Sequence, residues 1–259
     1  MKHTKKITVL LVLIFLIHQL FGIFVISNIV TDLSTEYSDE QLSSEVIFFP
    51  FFLIFASLIF IILSRFKKII KYWYILAMVL CGYITLSALI EPYQAIILSI
   101  LIILVKKLTD DDYFNNLSEL IIYPSIAIIL LPVINLLSAI ILLILISVYD
   151  FLAVYFSKHM VLLAKTQIKN TIFSGIKIRY GKESAIIGGG DIAFVMILVS
   201  VIFRDYGLFN SVVTALSSSI GLLTLLLLAQ KKKFYPAMPF LTISSIIGFF
   251  FSILLTSSL

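Results

Sequence analysis

At 259 residues, 61% of them hydrophobic and only 13% charged, with a mean hydropathy of +1.15, the chain is far from the half-apolar, quarter-charged make-up of a soluble domain. Its formal net charge of +5 does not read as a nucleic-acid surface, because the cations sit in short clusters between apolar runs, which is the distribution of membrane-flanking charge. The single cysteine, Cys81, lies inside an apolar run; it excludes an intramolecular disulfide, lacks a partner for a metal motif, and reads as a small packing residue.

A crossing helix needs roughly 20 apolar residues, and on that rule the chain reads as an all-α membrane protein of about nine spans. The first covers Ile7 to Ser27, and an acidic loop with Asp32, Glu36, Asp39, Glu40 and Glu45 follows. The second runs from Val46 to Ser64 and stops at Arg65, Lys67 and Lys68; the third runs from about Ile69 to Ile90. A turn at Glu91 and Pro92 leads into a short fourth span, Tyr93 to Val105, closed by Lys106 and Lys107. One apolar block from Leu117 to Phe156 is too long for a single helix, and its turn signals, Pro132 and Asn135, divide it into spans five and six. Span seven is Ala185 to Phe203, span eight Leu208 to Ala229, and span nine Pro236 to about Leu255. The whole of 1–259 then forms one polytopic domain: helices one to six over about 7–156, a cytoplasmic loop at 157–184, and helices seven to nine over about 185–255.

Charge supplies a separate reading of topology. With MKHTKK cytoplasmic, the loops after spans two, four, six and eight are cytoplasmic too. They hold Arg65/Lys67/Lys68, Lys106/Lys107, Lys158/Lys165/Lys169/Lys177/Arg179/Lys182 and Lys231/Lys232/Lys233. The opposite loops hold almost no Lys or Arg, with Arg204 the exception, so the positive-inside rule puts the N-terminus in the cytoplasm and the C-terminus outside. The first span has a basic start but is too long for a signal peptide and lacks a small-x-small cleavage site, so it reads as a retained helix.

Two aspartates interrupt this apolar landscape. Asp150 ends ILLILISVYD and precedes FLAVYF; Asp191 ends IIGGGD and precedes IAFVMILVSVIF. A carboxylate inside a membrane span is expensive and usually faces a partner or a wet cavity. Each lies about six residues from the same end of its span, which at 1.5 Å per residue puts both roughly 9 Å below one surface. Two carboxylates so close in a low-dielectric site cannot both ionise; one keeps the proton and the other the charge. That suits peptide hydrolysis, the charged member taking a proton from water and the protonated member donating to the scissile carbonyl. No metal or other cofactor is expected, since no His or Cys lies near either aspartate in sequence.

The flanking residues point the same way. Gly188, Gly189 and Gly190 each cost a helix about 1 kcal/mol relative to alanine; close helix packing and backbone free to approach a peptide account for them equally well. Pro236, Ala237, Met238 and Pro239 open span nine with two prolines three residues apart, which suggests a rigid, partly unwound start at the depth of the aspartates. In the preceding loop, Ile176, Lys177, Ile178, Arg179 and Tyr180 alternate apolar and polar residues and end at Gly181. This is either an amphipathic segment on the lipid surface or an edge strand to which Ile176, Ile178 and Tyr180 contribute one face, able to add a strand from an unwound substrate. His18 reads as a packed residue, Glu91 and Glu119 as water-accessible residues at span ends, and Tyr149 as either a neighbour of the aspartate pair or a packing tyrosine.

Tyr149-Asp150, Gly188-Gly189-Gly190-Asp191 and Pro236-Ala237-Met238-Pro239, in that order on the last four spans, resemble the YD, GxGD and PAL motifs of the presenilin and signal peptide peptidase family. The resemblance implies a nine-helix intramembrane aspartyl protease. Asp150 and Asp191 would be its catalytic pair, and Pro236, Ala237 and Met238 the segment that shapes the site and helps recruit substrate. Met238 departs from the family's leucine with little change of volume. The short, loop-poor chain resembles a microbial homologue, working in the cell membrane on single-pass transmembrane substrates without an obligatory partner subunit. The matching orientation favours substrates with an outside N-terminus. Two rivals are weaker. An ion-coupled transporter or channel explains the aspartates but not the double proline, and predicts inverted repeats that are not evident. A prepilin-peptidase-like protease uses a GxGD aspartate but lacks the segment at Pro236 to Pro239.

Overall fold

The computed structural model describes residues 4–30, 67–109, 111–157, 174–180, 183–229 and 235–257. In chain order these form α1 (Lys5–Ser27), α2 (Lys67–Ser87), α3 (Pro92–Leu108), α4 (Asp112–Leu130), α5 (Leu136–Leu152) with a wide π turn at Ala153–Ser157, β1 (Gly175–Tyr180), β2 (Glu183–Gly188), α6 (Gly189–Leu228) and α7 (Met238–Ser257).

Local chemistry sets the boundaries. Pro92 occupies the first turn of α3 and Lys106 and Lys107 its last, where a missing N–H and a positive charge are both welcome. Asp111 caps α4, its carboxylate accepting from the Tyr113 N–H at 3.2 Å. Asn135 caps α5 by accepting from the Ser138 N–H at 2.9 Å, so the block from Leu117 to Phe156 does divide between Pro132 and Asn135.

The nine crossing helices expected from the sequence are not supported. The described residues hold seven helices, and five are long and apolar enough to cross a membrane: Lys5–Ser27, Asp112–Leu130, Leu136–Tyr155, Gly189–Leu228 and Met238–Ser257. Three observations account for the difference. In α2 the apolar stretch is only Tyr72–Ser87, and α3 has 17 residues, both short against the hydrocarbon core. The seventh and eighth expected spans are joined without a loop in one 40-residue element, α6, whose helical backbone is broken at Gly207, and the expected first residues of the seventh, Ala185 to Gly188, are strand. The span expected over Val46 to Ser64 lies outside the described residues.

Within α6, Gly207 is non-helical at φ 83°, ψ −179°. The Ser211 hydroxyl donates to the Val199 carbonyl at 2.9 Å, although 12 residues of straight helix would separate them by roughly 18 Å. The chain therefore reverses at Gly207 into two arms, residues 189–206 and 208–228. The first arm is the centre of the molecule. Ile192, Val195, Met196, Ile197, Leu198, Val199, Ser200, Val201 and Ile202 are all essentially inaccessible, as befits a helix apolar on every face and surrounded by others. The neighbours approach closely: a Cβ at Gly22 of α1 would lie 2.8 Å from the Met196 sulfur, and one at Gly221 would lie 2.8 Å from the Phe240 carbonyl oxygen of α7.

β1 and β2 form an antiparallel hairpin with Ile176 opposite Ile187 and Ile178 opposite Ala185. Its inner face, Ile176, Ala185 and Ile187, is part of the main core, and β2 runs straight into α6 with Gly188 as the N-cap.

Gly207 occupies a backbone region essentially restricted to glycine, where a side chain costs on the order of 1–3 kcal/mol. Gly207→Ala is expected to lower the thermal unfolding midpoint of the purified protein in detergent, even though no atom stands within 4 Å of the added carbon. An unchanged midpoint would remove backbone conformation as the reason for glycine there.

Candidate active site

Asp150 sits near the end of α5, on the buried face that also carries Ala139 and Leu143. Offsets of 4 and 11 residues keep all three within about 40° on a 3.6-residue helix. The same face packs on α7, where the Thr242 hydroxyl donates to the Leu143 carbonyl at 3.4 Å. Asp150 is 8% exposed. Just beyond it the helix widens into the π turn at Ala153–Ser157, a feature often found at functional sites.

The carboxylate of Asp150 is met by the start of α7. Its Oδ2 accepts from the Met238 N–H at 3.1 Å, and the Ala237 N–H also donates to it. Pro236 and Pro239 have no N–H to offer, so the two N–H groups of residues 236–239 are both spent on Asp150. A helix N-terminus carries unsatisfied donors and partial positive charge, so a carboxylate there is favoured. Pro236 and Met238 are buried and Ala237 and Pro239 half-buried.

Asp191 is the third residue of α6, directly after Gly189 and Gly190. Its carboxylate reaches back to the Gly188 N–H, the reciprocal half of a capping box. The fit is close, since a Cβ at Gly188 would lie 3.3 Å from Asp191 Oδ2. Asp191 is half-buried, and Asp150 is near enough for its charge to act on it. One residue on, Gln19 of α1 donates to the Ile192 carbonyl at 3.1 Å.

Of the residues singled out in the sequence, Asp150, Asp191, Gly188, Ala237 and Met238 meet at this point. Gly189 faces α4, where a Cβ would lie 2.7 Å from the Tyr123 hydroxyl and 2.9 Å from Ser174 Oγ; Gly190 is exposed. Tyr149 is 68% exposed and lies 100° around α5 from Asp150, so it is not among the groups that converge. Ile176 is buried and Ile178 and Tyr180 half-buried on the inner face of the hairpin.

The strand over 176–180 has its outer edge occupied, which the sequence does not anticipate. Asn115 donates to the Gly175 carbonyl at 3.1 Å and Asn116 to the Lys177 carbonyl at 2.9 Å. Asn116 also accepts from the Lys177 N–H at 2.9 Å, and Asp112 from the Arg179 N–H at 2.8 Å. These three side chains all come from α4, and they take up four of the outward backbone groups of Gly175, Lys177 and Arg179. The open edge belongs to β2. Gly189 donates to the Ser174 carbonyl at 3.3 Å, which fixes the parity of the ladder: residues 183, 185 and 187 bond inward, and the backbone groups of 184, 186 and 188 point outward.

Sequence reading also misses Glu119. Far from being water-accessible, it is fully buried and paired with Lys106. The signal that could have found it is the polar stripe Asp112, Asn115, Asn116, Glu119, Tyr123 in DYFNNLSELIIY, spaced for one helix face. His18 is 2% exposed, its Nδ1 is 2.7 Å from the Ile14 carbonyl, and its ring is 5.9 Å from that of Tyr123, in keeping with a packed residue.

Two neighbouring carboxyl groups, each given N–H donors by a helix start, thus lie inside a bundle of membrane-length helices. The sequence pattern of the family described as signal-peptide peptidase, presenilin aspartyl protease matches residues 12–258, and the chain belongs to that family: it is an integral membrane protein and an intramembrane-cleaving aspartic endopeptidase, acting on membrane proteins. Two solved structures share the fold. A presenilin family intramembrane aspartate protease in a C222 crystal form superposes with a TM-score of 0.72 at 21% identity, over 96% of this chain and 99% of the other. A presenilin family intramembrane aspartate protease in a P2 form gives 0.67 at 20% identity, over 95% and 96%. No curated protein matches the chain in sequence.

A hydrogen bond to a charged group is worth about 1.5–3 kcal/mol, or roughly 10- to 100-fold in rate if it acts in the transition state. Ala237→Pro removes one of the two N–H donors to Asp150 and is expected to lower cleavage at least tenfold. Ala237→Ser keeps the donor and should stay within about threefold. Equal activity in the two variants, measured on one purified substrate, would discount the Ala237 hydrogen bond.

Proposed function

We propose that Asp150 and Asp191 are the catalytic pair of this protease, and that they hydrolyse peptide bonds inside transmembrane segments. The observation that carries the reading is the convergence on one point of two carboxyls from α5 and α6 and the N-terminus of α7. The ionised carboxylate takes a proton from a water molecule, and the resulting hydroxide attacks the scissile carbonyl carbon. The protonated carboxyl gives its proton to the carbonyl oxygen, so a neutral gem-diol forms with no net charge gained. Collapse re-forms the carbonyl, breaks the C–N bond and delivers a proton to the leaving amine, which returns the pair to its starting state. The N–H donors on Asp150 hold it in place throughout at no cost of reorganisation. Gly188 leaves the approach to the Asp191 carboxyl free of a side chain, Gly189 and Gly190 carry the chain into α6, and Pro236 to Pro239 form the opposing wall.

A helical substrate hides its carbonyls in its own hydrogen bonds, so it has to be extended before cleavage. The outward backbone groups of Ser184 and Ile186 on β2 offer an edge to which an extended segment adds as a strand. Ile176, Ile178 and Tyr180 support that edge from the inner face of the hairpin. Extension next to Gly188 would deliver the segment alongside Asp191, three residues further on. The finer reading of the biology follows the family resemblance: single-pass substrates, no obligatory partner subunit, and residence in a microbial cell membrane. A single polytopic domain over 1–259 is supported by a main core cluster that extends from Leu11 to Phe249 and by a smaller one, Met78, Ile103 and Ile122, that joins it through α4.

With purified protein and a single-pass test substrate in detergent, Asp150→Ala and Asp191→Ala are each expected to abolish cleavage while the fold is kept. Product masses place the cut. Retained cleavage in either variant defeats the pairing.

The strand reading has its own test. Ile186→Pro deletes an outward N–H and leaves the hairpin ladder intact, whereas Ile178→Pro breaks a ladder bond. Ile186→Pro should therefore reduce cleavage of the helical substrate at least severalfold with little change in unfolding midpoint. Unchanged turnover would rule out strand addition at β2.

A further inference from the structure

The hydrolytic chemistry leaves one buried charged group unused. Glu119 of α4 has no exposed surface, and a buried carboxylate is tolerated only when its lone pairs are satisfied. Lys106 of α3 pairs with its Oε1, and the Ser174 hydroxyl donates to its Oε2 at 3.1 Å. One turn along α4, the Tyr123 hydroxyl lies 3.4 Å from Ser174 Oγ, and Tyr74 of α2 also hydrogen-bonds Ser174. Two helices thus fix one hydroxyl, and α3 holds Glu119 in place behind it.

Ser174 in turn grips the start of α6. Its carbonyl accepts the Gly189 N–H at 3.3 Å, and its hydroxyl and that of Tyr123 lie against the Gly189 Cα so closely that a Cβ would fall within 2.9 Å of both. Gly189 is two residues from Asp191. The rest of the α4 stripe, Asn115, Asn116 and Asp112, holds four backbone groups of β1. The hairpin and the first turn of α6 are therefore registered against α4 by side-chain bonds to backbone, with Glu119 at the centre of the row.

We propose that Glu119, held by Lys106 and bonded to Ser174, is a positioning residue for Asp191. This rests on Asp191 being catalytic. Its effect is geometric: it sets where the first turn of α6 begins, and so where the Asp191 carboxyl lies relative to Asp150. Displacements of about 1 Å at reacting groups cost up to about 100-fold in rate, whereas the backbone groups proposed to hold substrate, at Ser184 and Ile186, lie on β2, and the α4 bonds go to β1. A loss in kcat with KM preserved is the signature.

The test compares Glu119→Gln, Ser174→Ala and Ser174→Thr in the full-length protein, in detergent, with one single-pass substrate. Glu119→Gln and Ser174→Ala are expected to lower kcat about tenfold with KM within about twofold, and Ser174→Ala to do so at an unchanged unfolding midpoint. Ser174→Thr, which keeps the hydroxyl, should recover most of the rate. Unchanged kcat in the first two variants overturns the proposal. So does a loss in which KM and the unfolding midpoint move together with kcat, or a failure of Ser174→Thr to restore what Ser174→Ala removes. Ser174→Ala leaves every charge in place, so it reports even if Glu119→Gln does not fold. Asp191→Ala runs alongside. Cleavage retained there removes the catalytic pair itself; cleavage abolished there, with normal kcat in Ser174→Ala, removes only the positioning role.

Discussion

A carboxyl group in an apolar bundle has to be given donors, and here both aspartates get them from the ends of helices. Asp150 receives the N–H groups of Ala237 and Met238 at the start of α7; Asp191 receives the N–H of Gly188 at the start of its own helix. The first turn of any helix has N–H groups with no partner inside the helix, so the site uses donors that the fold would otherwise have to satisfy with water or side chains. The architecture follows from this requirement. α7 must begin at the depth where α5 presents Asp150, and α6 must begin where its third residue comes close to the same point. The two prolines that bracket Ala237 and Met238 bring α7 to its start in a fixed conformation and add no competing donors.

The hairpin settles how α6 begins. Because Gly188 is both the last residue of β2 and the cap of α6, no loop separates the open strand edge from Asp191. Any change in the tilt of the hairpin is passed on to the carboxyl. Two-stranded hairpins are marginal by themselves, and this one is held on its inner face by the core and along β1 by the side chains of α4. The charged pair Lys106–Glu119, which taken alone would be weak evidence for stability, stands in the middle of that row of bonds.

Much of the site was legible because its chemistry is local in sequence. Asp150, the run Gly188 to Asp191 and the segment Pro236 to Pro239 are conspicuous against apolar surroundings, and the alternation at Ile176 to Tyr180 gave the strand. What escaped was set by distant partners. ESAIIG is short and apolar and merges into the helix after it, so β2 was read as the first turn of a span; only pairing with β1 makes it extended. Glu119 was placed at a wet helix end because nothing near it in sequence reveals that Lys106 and Ser174 will cover it. The span count failed where length alone had to decide. Residues 72–87 and 92–108 are apolar but short for a crossing, whereas the division expected between Phe203 and Leu208 falls at the reversal at Gly207.

The same donors separate this site from the other uses of membrane aspartates. A site that binds and releases a cation must turn oxygen lone pairs toward it, from carboxylates and from carbonyls of unwound backbone. The unwound segment facing Asp150 is oriented the opposite way: it aims N–H groups at the carboxylate, and the helix behind them adds positive potential. Asp191 likewise has an N–H on its carboxyl, at the positive end of a long helix. Such surroundings oppose a metal or sodium ion and suit two carboxyls that share a proton and trade it with water. The arrangement of hydrogen-bond polarity, more than the presence of two aspartates, is what favours the proposed hydrolytic role of the pair over a transport one.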